Sequence, residues 1–180
     1  MWKSIFIFVL FLTLPQRILA AEDLNIKGIK IGTTYGELKS AFPADLDCFA
    51  ANNMGKDARI CYRKAGSDSY AGDTARISYT LRADTVVAID VAKLSPEKYD
   101  AVMVGLSEKF GKPTDIGHGQ VESRMGVKYE NFNAQWHRGD LLLSIEKFDG
   151  SINEMGIHLV SITAAKRQAV EMSQKAKSDL

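Results

Sequence analysis

Three histidines, two cysteines and four arginines in strand-like segments are the side chains of this sequence best suited to chemistry. His118 stands in Gly117-His118-Gly119, while His137 and His158 fall in alternating segments. No His-x-His or His-x-x-x-His spacing occurs. If one strand separates His137 from His158, they are roughly 9.5 Å apart, too far to share a zinc ion unaided. The glycine pair around His118 has no helix after it and reads as a turn, not a phosphate cradle. Gly-x-Ser-x-Gly is missing. The carboxylates of Asp90, Glu122, Glu130 and Glu146 have no spacing that pairs two of them as acid and base. The sequence thus points to no catalytic residue, no metal and no cofactor.

The elements that must hold these residues are clearest at Ser95–Pro113. Ser95 suits an N-cap, Pro96 the first helical position and Glu97 the positive end of the helix dipole. Tyr99, Val102, Met103, Leu106 and Phe110 form one apolar stripe, and Gly111 and Pro113 end the helix. A shorter helix opens at Thr34, with Glu37 completing a capping box, and stops at Pro43. Residues 44–57 read as loop.

Period-two alternation then predicts strands over 58–64, 74–82 and 85–93, and again over 131–138, 141–148 and 154–162, with 121–129 weakly strand-like. Ala75, Ile77, Tyr79 and Leu81 fall on one side of the second strand, and Val87, Ile89 and Val91 on one side of the third. Phe132, Ala134 and Trp136, then Leu141, Leu143 and Ile145, then Met155, Ile157 and Leu159, point inward in the later three. The fold class is α+β, an antiparallel sheet of about six strands with two helices packed on one face, in the pseudo-repeat α-β-β-β-α-β-β-β. Residues 163–180 are a polar tail able to form a solvated helix or to fray.

Lys3, the apolar run SIFIFVLFLTL and Ile18-Leu19-Ala20-Ala21 have the order of a secretory signal peptide, residues 1–20, leaving 21–162 as a single domain. Its removal takes Lys3 and Arg17 from 23 bases against 22 acids, so the net charge passes from +1 to −1. That balance disfavours nucleic acid or an anionic membrane as a bulk electrostatic partner, and no stable membrane insertion is expected after cleavage. In an oxidising compartment Cys48 and Cys61 are expected to form a disulfide. By alternation Arg59, Arg63, Arg76 and Arg82 share the outward sheet face, with His137 and His158 on its other half. Such a set reads either as a solvated face with ordinary charges or as a basic groove that receives an acidic protein partner.

Ile31-Gly-Thr-Thr-Tyr-Gly-Glu-Leu38 resembles the G-M-T-x-x-E-V helix opening, and Leu106 to Pro113 the L-G-x-P helix exit, of the β-lactamase-inhibitor-protein-like fold. That fold is shared by small secreted and outer-membrane-assembly proteins of the SmpA/OmlA kind. The resemblance covers most of the mature chain in topology and about twenty residues in motif. It implies a non-catalytic domain that binds proteins through a sheet face. Members acting in outer-membrane assembly carry a lipobox cysteine, and this chain has none.

The expected function is a non-catalytic protein-binding module of the periplasm, or secreted, of inhibitor or immunity type. Its partner is another protein of the periplasm or envelope. Two other classes fit the same features, an accessory factor in envelope assembly and a small periplasmic hydrolase with an illegible site.

Overall fold

The computed structural model describes residues 23–178 apart from 52, 53, 56, 65 and 67, so the signal-peptide expectation lies outside the described residues. Alternating apolar residues build one antiparallel sheet of nine strands: β1 (Leu46–Ala50), β2 (Ala58–Arg63), β3 (Asp68–Tyr70), β4 (Asp73–Arg82), β5 (Thr85–Leu94), β6 (Asp115–Glu122), β7 (Lys128–Arg138), β8 (Leu141–Glu146) and β9 (Met155–Ser161). The spatial order is β1-β2-β4-β5-β9-β8-β7-β6, with β3 paired to β4 off this path. Two meanders thus meet at the β5–β9 pair in the middle of the sheet.

Three α-helices are present among the described residues: α1 (Tyr35–Ala41), α2 (Tyr99–Phe110) and α3 (Ile162–Ser178). The expected six strands, two helices and three-strand repeat units are therefore corrected. β1, β3 and β6 lie where loops were expected, and the polar tail is helical.

The core lies between one sheet face and the pair α1 and α2. Ile77, Tyr79, Ile89, Val91, Trp136, Leu143, Ile145, Ile157 and Leu159 cluster there with Leu38, Val102, Leu106 and Phe110. At about 25 cal/mol per Å² of apolar surface, this burial is the main force fixing which face the helices cover. Trp136 Nε1 donates to Gly111 O at 2.7 Å, tying the C-terminus of α2 to β7. Thr34 and Glu37 form the expected reciprocal cap of α1.

Ser95 does not use its side chain as a cap. Its backbone N–H donates to Asp73 Oδ2 at 2.9 Å, and Lys98 Nζ reaches Asp73 Oδ1 at 2.5 Å. A residue from the start of β4 thus anchors the 3-10 turn Pro96–Lys98 that leads into α2. The Lys98 bond, then the Ser95 N–H, hold the Asp73 carboxyl below its ordinary pKa.

Val87 also departs from expectation. A register shift between Thr80 and Leu81 pairs Thr80 with Ala88 but Leu81 with Val86, so β5 gains one residue there. The bulge sends Val86 into the core and leaves Val87 half-buried.

Candidate functional site

In an antiparallel sheet, directly opposed residues share a face. On the face turned away from α1 and α2, the register aligns Asp47, Tyr62, Ser78, Asp90, His158, Ser144, Gln135 and Asp115, one residue from each strand of the eight-strand path. Every member is polar, and none is buried. The next row is Phe49, Ile60, Thr80, Ala88, Val160, Leu142 and His137, mostly apolar. A polar stripe and an apolar stripe thus run side by side across the face turned away from α1 and α2, with Thr80 of the apolar stripe buried and α3 reaching Arg82 on the same side.

His158 stands at the centre of the polar stripe, where the two meanders meet. Its Nδ1 lies 2.8 Å from Asp90 Oδ1, and its Nε2 lies 3.1 Å from Asp149 Oδ2. Asp90 is the opposed residue on β5, whereas Asp149 comes from the loop between β8 and β9. That loop is set by Asn131 of β7, whose Nδ2 donates to Glu146 Oε1 at 2.6 Å and whose Oδ1 accepts from Phe148 N at 2.9 Å. Asp149 N donates to Glu154 O at 2.8 Å and closes the loop.

The Asp90 hydrogen bond raises the His158 pKa above its ordinary 6.5; burial opposes this, and the charges of Asp90 and Asp149 reinforce it. In the imidazolium both ring N–H groups donate, one to each carboxylate. The neutral ring keeps a single donor and would turn a lone pair toward the other carboxylate. With both nitrogens engaged, neither is open to take a proton from a substrate. The arrangement is a fixed, mostly anionic cluster of His158 between Asp90 and Asp149.

The arginines predicted to form one groove are divided between faces. Arg59 opposes Leu81, and Cys61, two residues on, opposes the core residue Tyr79. Arg59 and Arg63 therefore rim the helix side. The Arg59 guanidinium stacks on Tyr35 at 4.4 Å and lies 3.6 Å from Asp84. Arg63 stacks on Phe42 at 4.1 Å and binds the buried Asp68 at 2.5 Å. Only Arg76 and Arg82 share the open face, and Arg82 is held by Glu171 of α3 at 2.6 Å and by Met54 O. Hence the basic groove is not assembled.

His137 and His158 do both lie on the open face with β8 between them. They belong to different rows, because His137 opposes Leu142 and His158 opposes Ser144. His118 points to the helix side of β6 and packs edge-on against Phe132, with ring centroids 5.1 Å apart. Glu146 joins the Asn131 network, while Glu122 and Glu130 are exposed near the β6 edge.

Cys48 and Cys61 are opposed on β1 and β2 and form a disulfide, as expected, tying the outermost strand to its neighbour. Among the described residues, no group of three His, Cys, Asp or Glu could hold a metal ion. No helix among them is long and apolar enough to cross a membrane. No family model, curated protein or solved structure matches the chain.

Sequence reasoning did not single out Asp149. Its available signal was Gly156 inside a strongly alternating strand, since a glycine there often marks a close approach.

Proposed function

We propose that this is an exported, non-catalytic protein-binding domain that acts in the periplasm or outside the cell through the open sheet face. The observation that carries the reading is the polar stripe centred on Asp90, His158 and Asp149, beside an apolar row that includes the exposed Phe49. Protein interfaces combine apolar contact with fixed polar groups in this way. Asp47, Asp90, Asp115 and Asp149 outnumber the bases near the stripe, so the suited partner presents basic and apolar side chains. This replaces the acidic partner expected from the arginines. The resemblance to the β-lactamase-inhibitor-protein-like group belongs to the same proposal.

Site-specific photo-cross-linking in the producing cell tests it. A cross-linker at Ser144, in the polar stripe, is expected to give a discrete protein adduct. One at Val104, on the exposed side of α2, is expected to give none. Adducts from position 104 alone would refute the reading.

A further inference from the structure

The two edges of the sheet differ. β1 offers a short edge held by the disulfide. β6, Asp115–Glu122, is eight residues long and ends the other side of the sheet. It contains no proline, lysine or arginine, and its pairing with β7 is continuous without a bulge. Those are the devices by which edge strands usually discourage pairing with another chain.

The orientation of its backbone groups follows from the turn. Ser123 N donates to Val127 O at 2.8 Å, so opposed residues of that parity exchange hydrogen bonds. Carried along the register, Asp115, Gly117, Gly119 and Val121 direct their N–H and C=O groups to β7. Ile116, His118, Gln120 and Glu122 direct theirs outward, and all four residues are exposed.

We propose that the free edge of β6 takes an extended segment of another protein as an added strand, basic where it passes Glu122 and Glu130 and apolar where it passes Ile116. The outward backbone groups would supply the affinity and the flanking side chains the selectivity. β6 and the facing half of β7 carry Asp115, Glu122 and Glu130 against Lys128 alone, so a basic strand is favoured. Ile116 is 56% exposed and stands on the helix side with His118 and Phe132, giving an apolar side chain a place to pack. A second copy of this chain is a poor occupant. β6 carries Asp115 and Glu122 and no lysine or arginine, so a copy of itself supplies no charge complementary to its own. The proposal concerns a sheet edge and stands independently of the role given to the open face.

The test is amide hydrogen exchange on the full chain, with short blocked peptides alternating valine with lysine or valine with glutamate. With the lysine peptide at ten times its Kd, the amides of Ile116, His118, Gln120 and Glu122 are expected to slow about tenfold. Those of Gly117, Gly119 and Val121, already bonded to β7, should stay as they are. Gln120→Pro removes an outward N–H without touching the β6–β7 ladder and should abolish the effect. Retained protection at Gly117 and Gly119 shows that this variant is folded. Glu122→Lys with Glu130→Lys should reverse the preference to the glutamate peptide. No slowing, equal slowing by both peptides, or slowing produced by raising the protein concentration alone would overturn the proposal.

Discussion

A methyl group on Gly156 would occupy the space that the Asp149 carboxyl fills, with Asp149 Cγ only 2.6 Å from the position it would take. The missing side chain on β9 is what lets the loop carboxylate fold over the strand and reach His158, two residues along. Gly156→Ala must therefore displace Asp149. The variant is expected to lose about 1–3 kcal/mol to overpacking. The His158 pKa, followed by NMR titration, should fall relative to the parent as one of its two carboxylates withdraws.

The same cluster sets a pH dependence. Because the folded-state pKa of His158 is raised, its stabilisation is fully present below the unfolded-state pKa and is lost as pH rises through the higher folded value. Thermal unfolding should show stability falling across that window in the parent protein. In His158→Gln that component of the slope should be absent.

A second titrating contact lies at the start of α3. Asp140, in the β7–β8 turn, accepts from Ser161 Oγ at 2.5 Å, from Thr163 Oγ1 at 2.6 Å and from Thr163 N at 2.9 Å. The Ser161 bond, then those of Thr163, hold its pKa below the ordinary value, so the cap is present above the unfolded-state pKa and lost as pH falls through the depressed one. Asp140→Ala is expected to reduce helical circular dichroism at neutral pH through fraying of α3 and to leave the sheet signal in place.

Packing of α2 is tested by truncation. Leu106 and Phe110 are 4% and 2% exposed, whereas Val104 on the same helix is 57% exposed. Leu106→Ala and Phe110→Ala should each cost about 2–5 kcal/mol in denaturant unfolding. Val104→Ala should stay within about 0.5 kcal/mol.

The disulfide gives a further check. Cys48 and Cys61 are 13 residues apart, a loop for which the chain-entropy model gives about 3 kcal/mol. Cys48→Ser with Cys61→Ser should lower stability by that order, and amide exchange should accelerate most in β1, the strand the bridge secures.

The parts of the fold that were legible are those whose burial is one-sided. β4, β7, β8 and β9 alternate because one face meets α1 and α2, and α2 shows its stripe for the same reason. β6 left no such trace. Ile116, His118 and Gln120 are all exposed, so its strand pairing is carried by backbone groups that composition does not reveal. α3 was obscure for a related reason, since the Asp140 cap and the Arg82–Glu171 pair secure it by polar contacts.

The arginine groove failed because alternation along β2 does not by itself say which of its two faces is the inward one. Cys61 sets the phase of β2, and the long stems of Arg59 and Arg63 let them rim the core while their heads stack on Tyr35 and Phe42. Asp90 and His158 were visible as separate residues. Their meeting depends on the β5–β9 pairing, a contact between distant segments that local pattern does not specify.

The most direct test of the open-face account is the affinity for the protein cross-linked at Ser144, measured by titration with three forms of the chain. Ser144→Arg places a bulky cation beside His158 in the polar stripe, and Val104→Arg places the same group on the exposed side of α2. The account predicts that Ser144→Arg weakens binding by at least about tenfold, or 1.4 kcal/mol, with its unfolding midpoint unchanged, and that Val104→Arg binds as the parent does. Full affinity in Ser144→Arg together with loss in Val104→Arg would contradict it.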